Sequence, residues 1–340
     1  MMKKIVVMPV KNEAWVLEKT LTALSVWADT IIIADQRSTD GSTEIYKKFP
    51  KVKVVNNSAN YHSSNVRKLL LKEARKLPGL NSIFSIDADE IPTAQILNSD
   101  FWQKVQSLPP GSAIELQWVQ LWRSPVKFRN DKSMWSNSWK AFGFVDDRIM
   151  QYDTLNVVND HTSRVPVASL KNSVRFEQPK ILHYQFTNWP RMLSKQCYYR
   201  IMEFLKSDKS FFQTMKINLK YLPTRDEKDI KLADLPEQWV RPYRALGIDL
   251  QTMKQENLSW YDSEVISLIT RNGAASFKWL DIWNVDWEHK SAALQLPASP
   301  DLAQAKNYQW FGNLLLALFY QNSSAYKLLK FIKSHVTTKP

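Results

Sequence analysis

The chain has 340 residues and a mass of 39.7 kDa, which is enough for one large domain or two smaller ones. Apolar residues make up 44% and glycines number only 7, which excludes collagen-like, low-complexity and linker-rich classes. The single cysteine, Cys197, excludes internal disulfides and cysteine-based zinc modules, so a reducing compartment is expected. The net charge of +13 favours nucleic acid, phosphorylated substrates or anionic membrane surfaces as partners.

The N-terminus begins with two methionines, two lysines and a short apolar run. Pro9 and Lys11 end this run too early for a secretory signal peptide. No stretch reaches about 18 uninterrupted apolar residues, so no membrane span is expected. We therefore predict a cytoplasmic protein, with peripheral association at the inner face of the membrane as a further hypothesis.

The first ninety residues alternate between apolar runs and amphipathic segments. The apolar runs predict buried strands at 5–10, 30–34, 52–55 and 83–86. The amphipathic segments predict a helix capped by Asn12, a short helix after Gly41 and a helix over 64–76. Wholly apolar strands separated by amphipathic helices favour a parallel sheet with helices on both faces.

Three polar clusters follow these predicted strands, at residues 11–13, 35–40 and 87–90. Ligands of such sheets bind beyond the carboxyl ends of the strands, so the clusters predict a binding edge. The third cluster places Asp87, Asp89 and Glu90 directly after a buried strand. Clustered carboxylates are costly unless a cation lies among them, and their oxygens suit Mg²⁺ or Mn²⁺. A solvated acidic turn is the alternative interpretation.

The same three clusters carry a family resemblance. Residues 8–13 read Met-Pro-Val-Lys-Asn-Glu, residues 32–42 read Ile-Ile-Ala-Asp-Gln-Arg-Ser-Thr-Asp-Gly-Ser, and residues 87–90 read Asp-Ala-Asp-Glu. In this order they resemble the nucleotide-sugar-binding half of family 2 glycosyltransferases, which have the GT-A fold. Gln36 and Arg37 replace the usual Asp and Gly of the middle motif and make that loop basic.

The resemblance implies a Rossmann-like nucleotide-binding mixed α/β sheet with helices on both faces, followed by a mostly helical C-terminal region. We expect a GT-A domain over 1–200, with a nucleotide-sugar half at about 1–110 and an acceptor half at about 111–200. A helical extension over 201–340 would follow. Its tail has five lysines and no acidic residue after Asp301, and is interpreted either as a membrane-interface helix or as a helix packed on the core.

Site residues carry over from the family position by position. The resemblance implies that the nucleotide-sugar donor is bound by Pro9, Val10, Asn12, Glu13, Asp35, Arg37, Arg67, Asp87 and Ala88. Asp35 would accept a hydrogen bond from the base, and Arg67 would approach the donor. Asp89, with Asp87 and the later His183, would hold a divalent Mn²⁺ or Mg²⁺ that neutralises the departing diphosphate. A hydrogen-bonded core histidine is the alternative for His183.

The catalytic base is less clearly marked. Inverting transfer needs a carboxylate that takes the proton of the acceptor hydroxyl. Asp160 is our first candidate and Asp147 the second, with His161 as a residue that orients the base or binds acceptor; surface loop acids are the alternative for both carboxylates.

The sequence therefore predicts an inverting, metal-dependent glycosyltransferase that uses a nucleotide-diphospho-sugar, with UDP as the expected carrier. A glycan or lipid-linked cell-envelope acceptor is expected from the basic surface and tail, with an anionic membrane surface as a candidate partner. One alternative is a sugar nucleotidyltransferase, against which the absence of a Gly-rich loop after the first strand counts. The other is a non-catalytic polyanion- or membrane-binding protein. Nucleic acid is not expected, because no nucleic-acid-binding motif is visible.

Overall fold

A computed structural model describes residues 2–57, 64–152, 163–222, 230–297, 299–303 and 308–309. The chain divides into two compact units. The first unit comprises Met1–Asn188 and Ile230–Gln255, and the second comprises Trp189–Asp229 and Glu256–Pro340. The first unit contains the predicted donor-binding motifs.

Ten strands are described, all of them in the first unit. They are β1 (Lys3–Val10), β2 (Thr30–Asp35), β3 (Val52–Asn56), β4 (Asn81–Ser85), β5 (Glu90–Pro92), β6 (Ala113–Gln120), β7 (Lys127–Arg129), β8 (Ser138–Val145), β9 (Ser173–His183) and β10 (Leu232–Asp234). Eight of them form one sheet in the order β3-β2-β1-β4-β8-β6-β9-β5. β3, β2, β1 and β4 are parallel, β4 pairs antiparallel with β8, and β7 and β10 form a separate ribbon.

Both faces of β1 are buried, which explains its continuous apolar sequence. Val6 and Met8 lie in one hydrophobic core, and Ile5 and Val7 lie in another on the opposite face. This alternation follows from the two-residue period of a strand. Burial on both faces is typical of parallel strands that are covered by helices on each side.

Helices cover both faces of the sheet. The helices described are α1 (Ala14–Ser25), α2 (Ser42–Tyr46), α3 (Ser64–Ala74), α4 (Ser99–Gln106), α5 (Trp189–Lys206), α6 (Phe211–Lys220), α7 (Arg241–Ala245), α8 (Trp260–Asn272), α9 (Trp287–Ala293) and α10 (Pro300–Ala303). Short 3-10 turns lie at Ala94–Leu97, Val167–Asn172, Glu237–Trp239 and Ala274–Phe277. α1 and α4 contribute to the core that contains Val6, and α3 contributes to the core that contains Ile5. The predicted fold class, a Rossmann-like mixed sheet with helices on both faces and a mostly helical C-terminal part, is confirmed.

The start of α1 differs from the prediction. Asn12 does not cap the helix; Glu13 occupies the N-cap position, and its side chain makes no capping bond. The backbone N–H of Ala14 instead donates to Oδ2 of Asp40, at 2.9 Å. Asn12 has a left-handed backbone with φ of 53° and uses its side-chain oxygen to accept from Thr39 N, at 2.7 Å. The polar residues after β2 thus cap the helix that follows β1.

The second unit has its own hydrophobic core. α5, α6 and α8 pack there, with Ile201, Ile217 and Ile269 fully buried. A buried carboxylate, Asp262, closes a capping box with Ser259 at the start of α8 and pairs with Lys290 at 2.9 Å. No helix in the described part of the chain is long and apolar enough to cross a bilayer. The basic tail from residue 310 onward lies outside the described residues.

We predict that Gly143→Ala destabilises the first unit. Gly143 of β8 faces Phe84 of β4, and an added Cβ would lie 2.9 Å from Phe84 Cδ1. The Phe84 ring cannot retreat freely, because Trp27 and Trp102 pack against it with ring centroids at 5.7 Å. Overpacking of this kind costs about 1–3 kcal/mol.

Urea unfolding measures this loss. Ser138→Ala, in the same strand, is the control and is expected to stay within about 0.5 kcal/mol of the wild type. Adding Phe84→Leu to Gly143→Ala should recover part of the stability. Equal stability of Gly143→Ala and the control would contradict the close packing of β4 and β8.

Candidate active site

The three polar clusters meet at one edge of the sheet. β1, β2 and β4 run parallel, and Val10 at the end of β1 pairs in register with Asp35 at the end of β2. Asp87 follows β4 by two residues, and Ile86 N still donates to Val7 O of β1, at 3.2 Å. The carboxyl ends of these strands therefore carry Asn12, Asp35 and Asp87 side by side, as the sequence predicts.

Asp35 is held by two donors. Its Oδ1 accepts from the Tyr46 hydroxyl at 2.8 Å, and its Oδ2 accepts from Ser38 N at 3.0 Å. Burial and the adjacent charge of Asp35 raise the pKa of Tyr46, so this hydroxyl stays protonated as a donor. Asn12 joins the two loops, because its N–H donates to Ser38 Oγ at 2.9 Å. The base-binding loop predicted from the sequence is thus a hydrogen-bonded structure.

The other predicted donor-binding residues differ in their exposure and contacts. Val10 is fully buried in the core, and Pro9 is only half-buried. The Glu13 carboxylate accepts from the indole N–H of Trp15 at 2.6 Å. Arg37 is exposed with φ of 60°, and Ala88 is buried with its carbonyl accepting from Thr20 Oγ1 at 2.6 Å. Val10 and Ala88 can therefore offer backbone groups only.

Asp87 is neutralised by two arginines. Arg164 Nη2 lies 2.7 Å from Asp87 Oδ2, and Arg67 Nη2 lies 3.4 Å from Oδ1. Burial opposes ionisation of Asp87, but the two guanidinium groups outweigh it and lower its pKa below the ordinary value. Arg67 also donates to Ser85 Oγ, so it reaches from α3 to the end of β4. Asp87 is therefore an ionised carboxylate whose oxygens already have cationic partners.

Glu90 is the buried member of the acidic turn. Its side chain is fully buried, and both oxygens accept from Arg164, Oε1 from Nη2 at 2.7 Å and Oε2 from Nη1 at 2.8 Å. Glu90 Oε2 also accepts from the backbone N–H of Asp87, at 2.8 Å. Burial raises the pKa of Glu90, and Arg164 opposes that rise. Arg164 thus holds both Glu90 and Asp87 with one guanidinium group.

Asp89 and His183 face each other. Asp89 Oδ2 lies 3.4 Å from His183 Nε2, and both side chains are buried. β5 pairs antiparallel with β9, with Glu90 opposite His183, and Tyr184 N donates to Asp89 O at 2.8 Å. The two residues are 94 positions apart in sequence, and this strand pairing brings them together.

Gln120 sets the orientation of the imidazole. Gln120 Oε1 lies 2.6 Å from His183 Nδ1. An amide oxygen only accepts, so Nδ1 carries a proton that it donates to Gln120, and Nε2 is the ring nitrogen that faces Asp89. Trp118 stacks on the same ring with centroids 4.4 Å apart, and Phe186 meets its edge at 5.6 Å. The ring is held from three sides.

These groups fit a divalent cation only in part. Asp89 supplies a carboxylate oxygen, and His183 supplies an imidazole nitrogen whose protonated partner atom is fixed by Gln120, an arrangement common around metal-binding histidines. No group of three or more acidic, histidine or cysteine side chains with metal-site geometry occurs among the described residues. Asp87, predicted as a third ligand, is engaged by Arg164 and Arg67. A cation held here would take its remaining ligands from substrate oxygens and water.

Asp147 lies away from this edge. β8 runs antiparallel to β4 and pairs Val145 with Ser82, so the residues after β8 lie beside the start of β4 rather than its end. Asp147 Oδ1 accepts from Ile149 N at 2.9 Å and from Met150 N at 2.8 Å, which closes a turn there. The structure does not bring Asp147 together with Asp87 and Asp89. Asp160 and His161 lie outside the described residues.

Sequence reasoning missed Arg164 and Gln120. Arg164 lies 77 positions from Asp87 and no motif surrounds it, so spacing alone could not identify it. One signal could have indicated that a basic side chain lies close to the turn. Three carboxylates within four residues need cationic partners nearby. Gln120 ends β6, and its role appears only when β6 is paired with β9, which puts it opposite His183.

We predict that Arg164→Met strongly destabilises the first unit. The change leaves the fully buried Glu90 carboxylate without its bidentate partner, which costs about 3–5 kcal/mol. The control is Arg175→Met, because the Arg175–Glu115 pair is largely exposed and is worth less than about 1 kcal/mol. Chemical denaturation measures both.

Adding Glu90→Gln to Arg164→Met removes the unpaired charge and should recover part of the loss. A loss for Arg164→Met no larger than that for Arg175→Met would contradict the assignment of Arg164 as the counter-ion of the acidic turn.

The chain was compared with protein-family models, curated sequences and solved structures. No curated protein has a matching sequence. Among solved structures, S. aureus TarS 1-349 in complex with UDP-GlcNAc is 14% identical, with 91% of each chain covered and a TM-score of 0.37. Glucosyl-3-phosphoglycerate synthase from Mycobacterium tuberculosis, in complex with Mg²⁺ and UDP, is 17% identical over 35% of this chain and 44% of that one, with a TM-score of 0.26.

A structure of 4-diphosphocytidyl-2C-methyl-D-erythritol synthase is 13% identical over 53% of this chain and 90% of that one, with a TM-score of 0.37. These similarities are too low to support an argument about function. The sequence match is more specific: residues 5–114 match the model of glycosyl transferase family 2. The resemblance seen in the three motifs is therefore confirmed, because residues 5–114, which contain all three, match the family 2 glycosyltransferases.

Proposed function

We propose that the protein is an inverting, metal-dependent glycosyltransferase. It would transfer a sugar from a nucleotide-diphospho-sugar, with UDP as the carrier, to a glycan or lipid-linked acceptor of the cell envelope. The observation that carries this proposal is the meeting of Asp35, Asp87 and the Asp89–His183 pair at one sheet edge. The carboxyl edge of a parallel sheet is where such folds bind nucleotides.

The donor would lie across the ends of β2, β1 and β4. The base would meet the loop that Asp35, Ser38 and Asn12 hold together. Asp87 is ionised and its side chain is 34% exposed, so it retains an accessible oxygen surface for ribose hydroxyl donors. The exposed Arg37 adds positive charge at the same edge. These groups bind and orient the donor without taking part in bond breaking.

The leaving diphosphate requires charge neutralisation. Asp89 and His183 would hold a Mn²⁺ or Mg²⁺, and such an ion acts as a Lewis acid on phosphate oxygens. Gln120 Oε1 would accept a hydrogen bond from His183 Nδ1–H, which leaves Nε2 as the nitrogen that can bind the cation. Arg164 and Arg67 keep Asp87 and Glu90 neutralised, so that three adjacent carboxylates do not repel the diphosphate.

The proton of the acceptor hydroxyl needs a base. We keep Asp160 as the proposed base, assisted by His161, because Asp147 lies beside the start of β4 and its carboxylate closes a local turn. Arg164 follows Asp160 by four residues and is anchored on the acidic turn.

Asp89→Asn tests the donor site directly. With UDP and Mn²⁺ at about a hundred times the dissociation constant, we expect the wild type to gain roughly 2.7 kcal/mol of stability. Asp89→Asn should lose the metal-dependent part of this gain, because an amide oxygen binds the cation more weakly than a carboxylate. A thermal-shift series with UDP, GDP, CDP and TDP, each with Mn²⁺ or chelator, is the measurement.

Asp100→Asn, an exposed position on α4, is the matched control and should respond as the wild type does. An Asp89→Asn variant that keeps the full Mn²⁺-dependent shift would count against the proposed donor site.

Gln120→Leu tests the orientation of His183. Loss of the acceptor for Nδ1–H should weaken Mn²⁺ binding in the presence of UDP by about 10–100-fold. Gln120→Glu keeps an acceptor at this position and should retain most of the affinity. Electron paramagnetic resonance of free Mn²⁺ during titration gives the affinities without relying on turnover. Equal Mn²⁺ affinities for Gln120→Leu and Gln120→Glu would show that this hydrogen bond does not position the imidazole.

A further inference from the structure

A pair of aromatic side chains is exposed on the second unit. Phe212 is 73% exposed and Phe211 is 40% exposed at the start of α6. The other large apolar side chains exposed in the described part of the chain are not aromatic, and most of them stand singly, such as Ile149 and Leu246. Scattered exposed aliphatic residues are ordinary, whereas adjacent exposed rings indicate a surface that meets an apolar phase.

Trp279 extends this aromatic surface. Its ring centroid lies 6.3 Å from that of Phe211, in an edge-to-face arrangement. The Asn218 side chain of α6 donates to Trp279 O at 2.8 Å and accepts from Asp281 N at 2.9 Å. These bonds fix α6 against the segment that carries Trp279. The helix that carries Phe211 and Phe212 and the segment that carries Trp279 are thus held together by hydrogen bonds.

The buried face of α6 explains why Phe212 and Lys216 point outward. Met215 and Ile217 are buried in this helix, and Ser210 caps its first turn by accepting from Gln213 N at 3.3 Å. With these positions buried, residues 212 and 216 fall on the outer face, because helix positions repeat every 3.6 residues. Phe211 is the first residue of the helix and is 40% exposed there. The exposure of Phe212 therefore follows from the packing of α6.

Lysines surround the rings. Lys209 precedes the helix, Lys216 lies one turn after Phe212, and both are exposed. Lys278 is exposed as well, with its Nζ 5.1 Å from the centroid of the Trp279 ring. The nearest acid in sequence, Asp208, accepts hydrogen bonds from Ser210 N and Ser210 Oγ, at 3.0 and 2.9 Å. We call Phe211, Phe212, Trp279, Lys209, Lys216 and Lys278 the aromatic–lysine patch.

We propose that the aromatic–lysine patch binds an anionic lipid surface. Aromatic rings enter the headgroup region of a bilayer, and lysines beside them attract the negative surface potential. Exposed apolar rings beside lysines complement a lipid surface, which offers both an apolar interior and a negative surface charge. No residue of the patch is among the candidate donor-site residues, so the inference is independent of the proposed enzymatic activity.

Vesicle flotation of the full-length protein tests this proposal. The wild type should bind vesicles of phosphatidylcholine with about 30% phosphatidylglycerol, and bind pure phosphatidylcholine weakly. Phe211→Ser with Phe212→Ser should reduce binding to the anionic vesicles at least tenfold, since two apolar rings are removed. Lys209→Glu with Lys216→Glu should reduce it by a similar factor, because each lysine near the surface contributes roughly fivefold.

Matched controls separate the patch from general effects. Ile149→Ser removes an equally exposed apolar side chain from the first unit, and Lys53→Glu with Lys104→Glu makes the same charge change there. Both controls should bind as the wild type does, and all variants should show its circular dichroism spectrum. The proposal is overturned if the wild type does not float with anionic vesicles, or if the patch variants still bind. It is equally overturned if the control variants lose as much binding, because charge or apolar area in general would then be responsible.

Discussion

The acidic turn at residues 87–90 depends on the guanidinium group of Arg164, which pairs with two of its three carboxylates. Arg164 contacts Asp87 and both oxygens of the fully buried Glu90, with distances of 2.7–2.8 Å. An unpaired carboxylate at the position of Glu90 would be strongly destabilising. With Glu90 and Asp87 occupied in this way, Asp89 is the carboxylate of the turn that faces His183. The geometry of the candidate site therefore depends on the ion pairs that Arg164 makes with Asp87 and Glu90.

The two halves of the sheet carry different residues of the candidate site. The parallel strands β3, β2, β1 and β4 deliver the loops that carry Asn12, Asp35 and Asp87. The mixed strands β8, β6, β9 and β5 deliver His183, its partner Gln120 and the stacked Trp118. The short pairing of β5 with β9 joins the halves, since it puts the acidic turn beside the end of β9. The residues that we propose for donor binding and those that we propose for charge neutralisation thus come from different parts of the sequence.

The sequence was sufficient for the parallel half because its signals are local. Apolar runs predicted β1 to β4, and the polar residues directly after them identified the binding edge. The partners of the acidic turn could not be predicted, since Arg164 and Gln120 are remote in sequence and lie in no recognisable motif. Asp147 illustrates the same limit: its local sequence suggested an acceptor-side acid, but the antiparallel direction of β8 puts it at the start of β4. The sequence did not reveal the direction of the strands in the second half of the sheet, and the position of Asp147 depends on that direction.

The central claim is that Asp89 and His183 together hold the cation that binds the donor diphosphate. The most direct measurement is a crystal structure of the protein with UDP and Mn²⁺, with anomalous diffraction collected at the manganese edge. We predict an anomalous peak in contact with Asp89 Oδ2, His183 Nε2 and the diphosphate, with the uracil at the loop of Asp35. A diphosphate bound by arginine side chains without manganese, or a manganese peak away from both residues, would contradict the account.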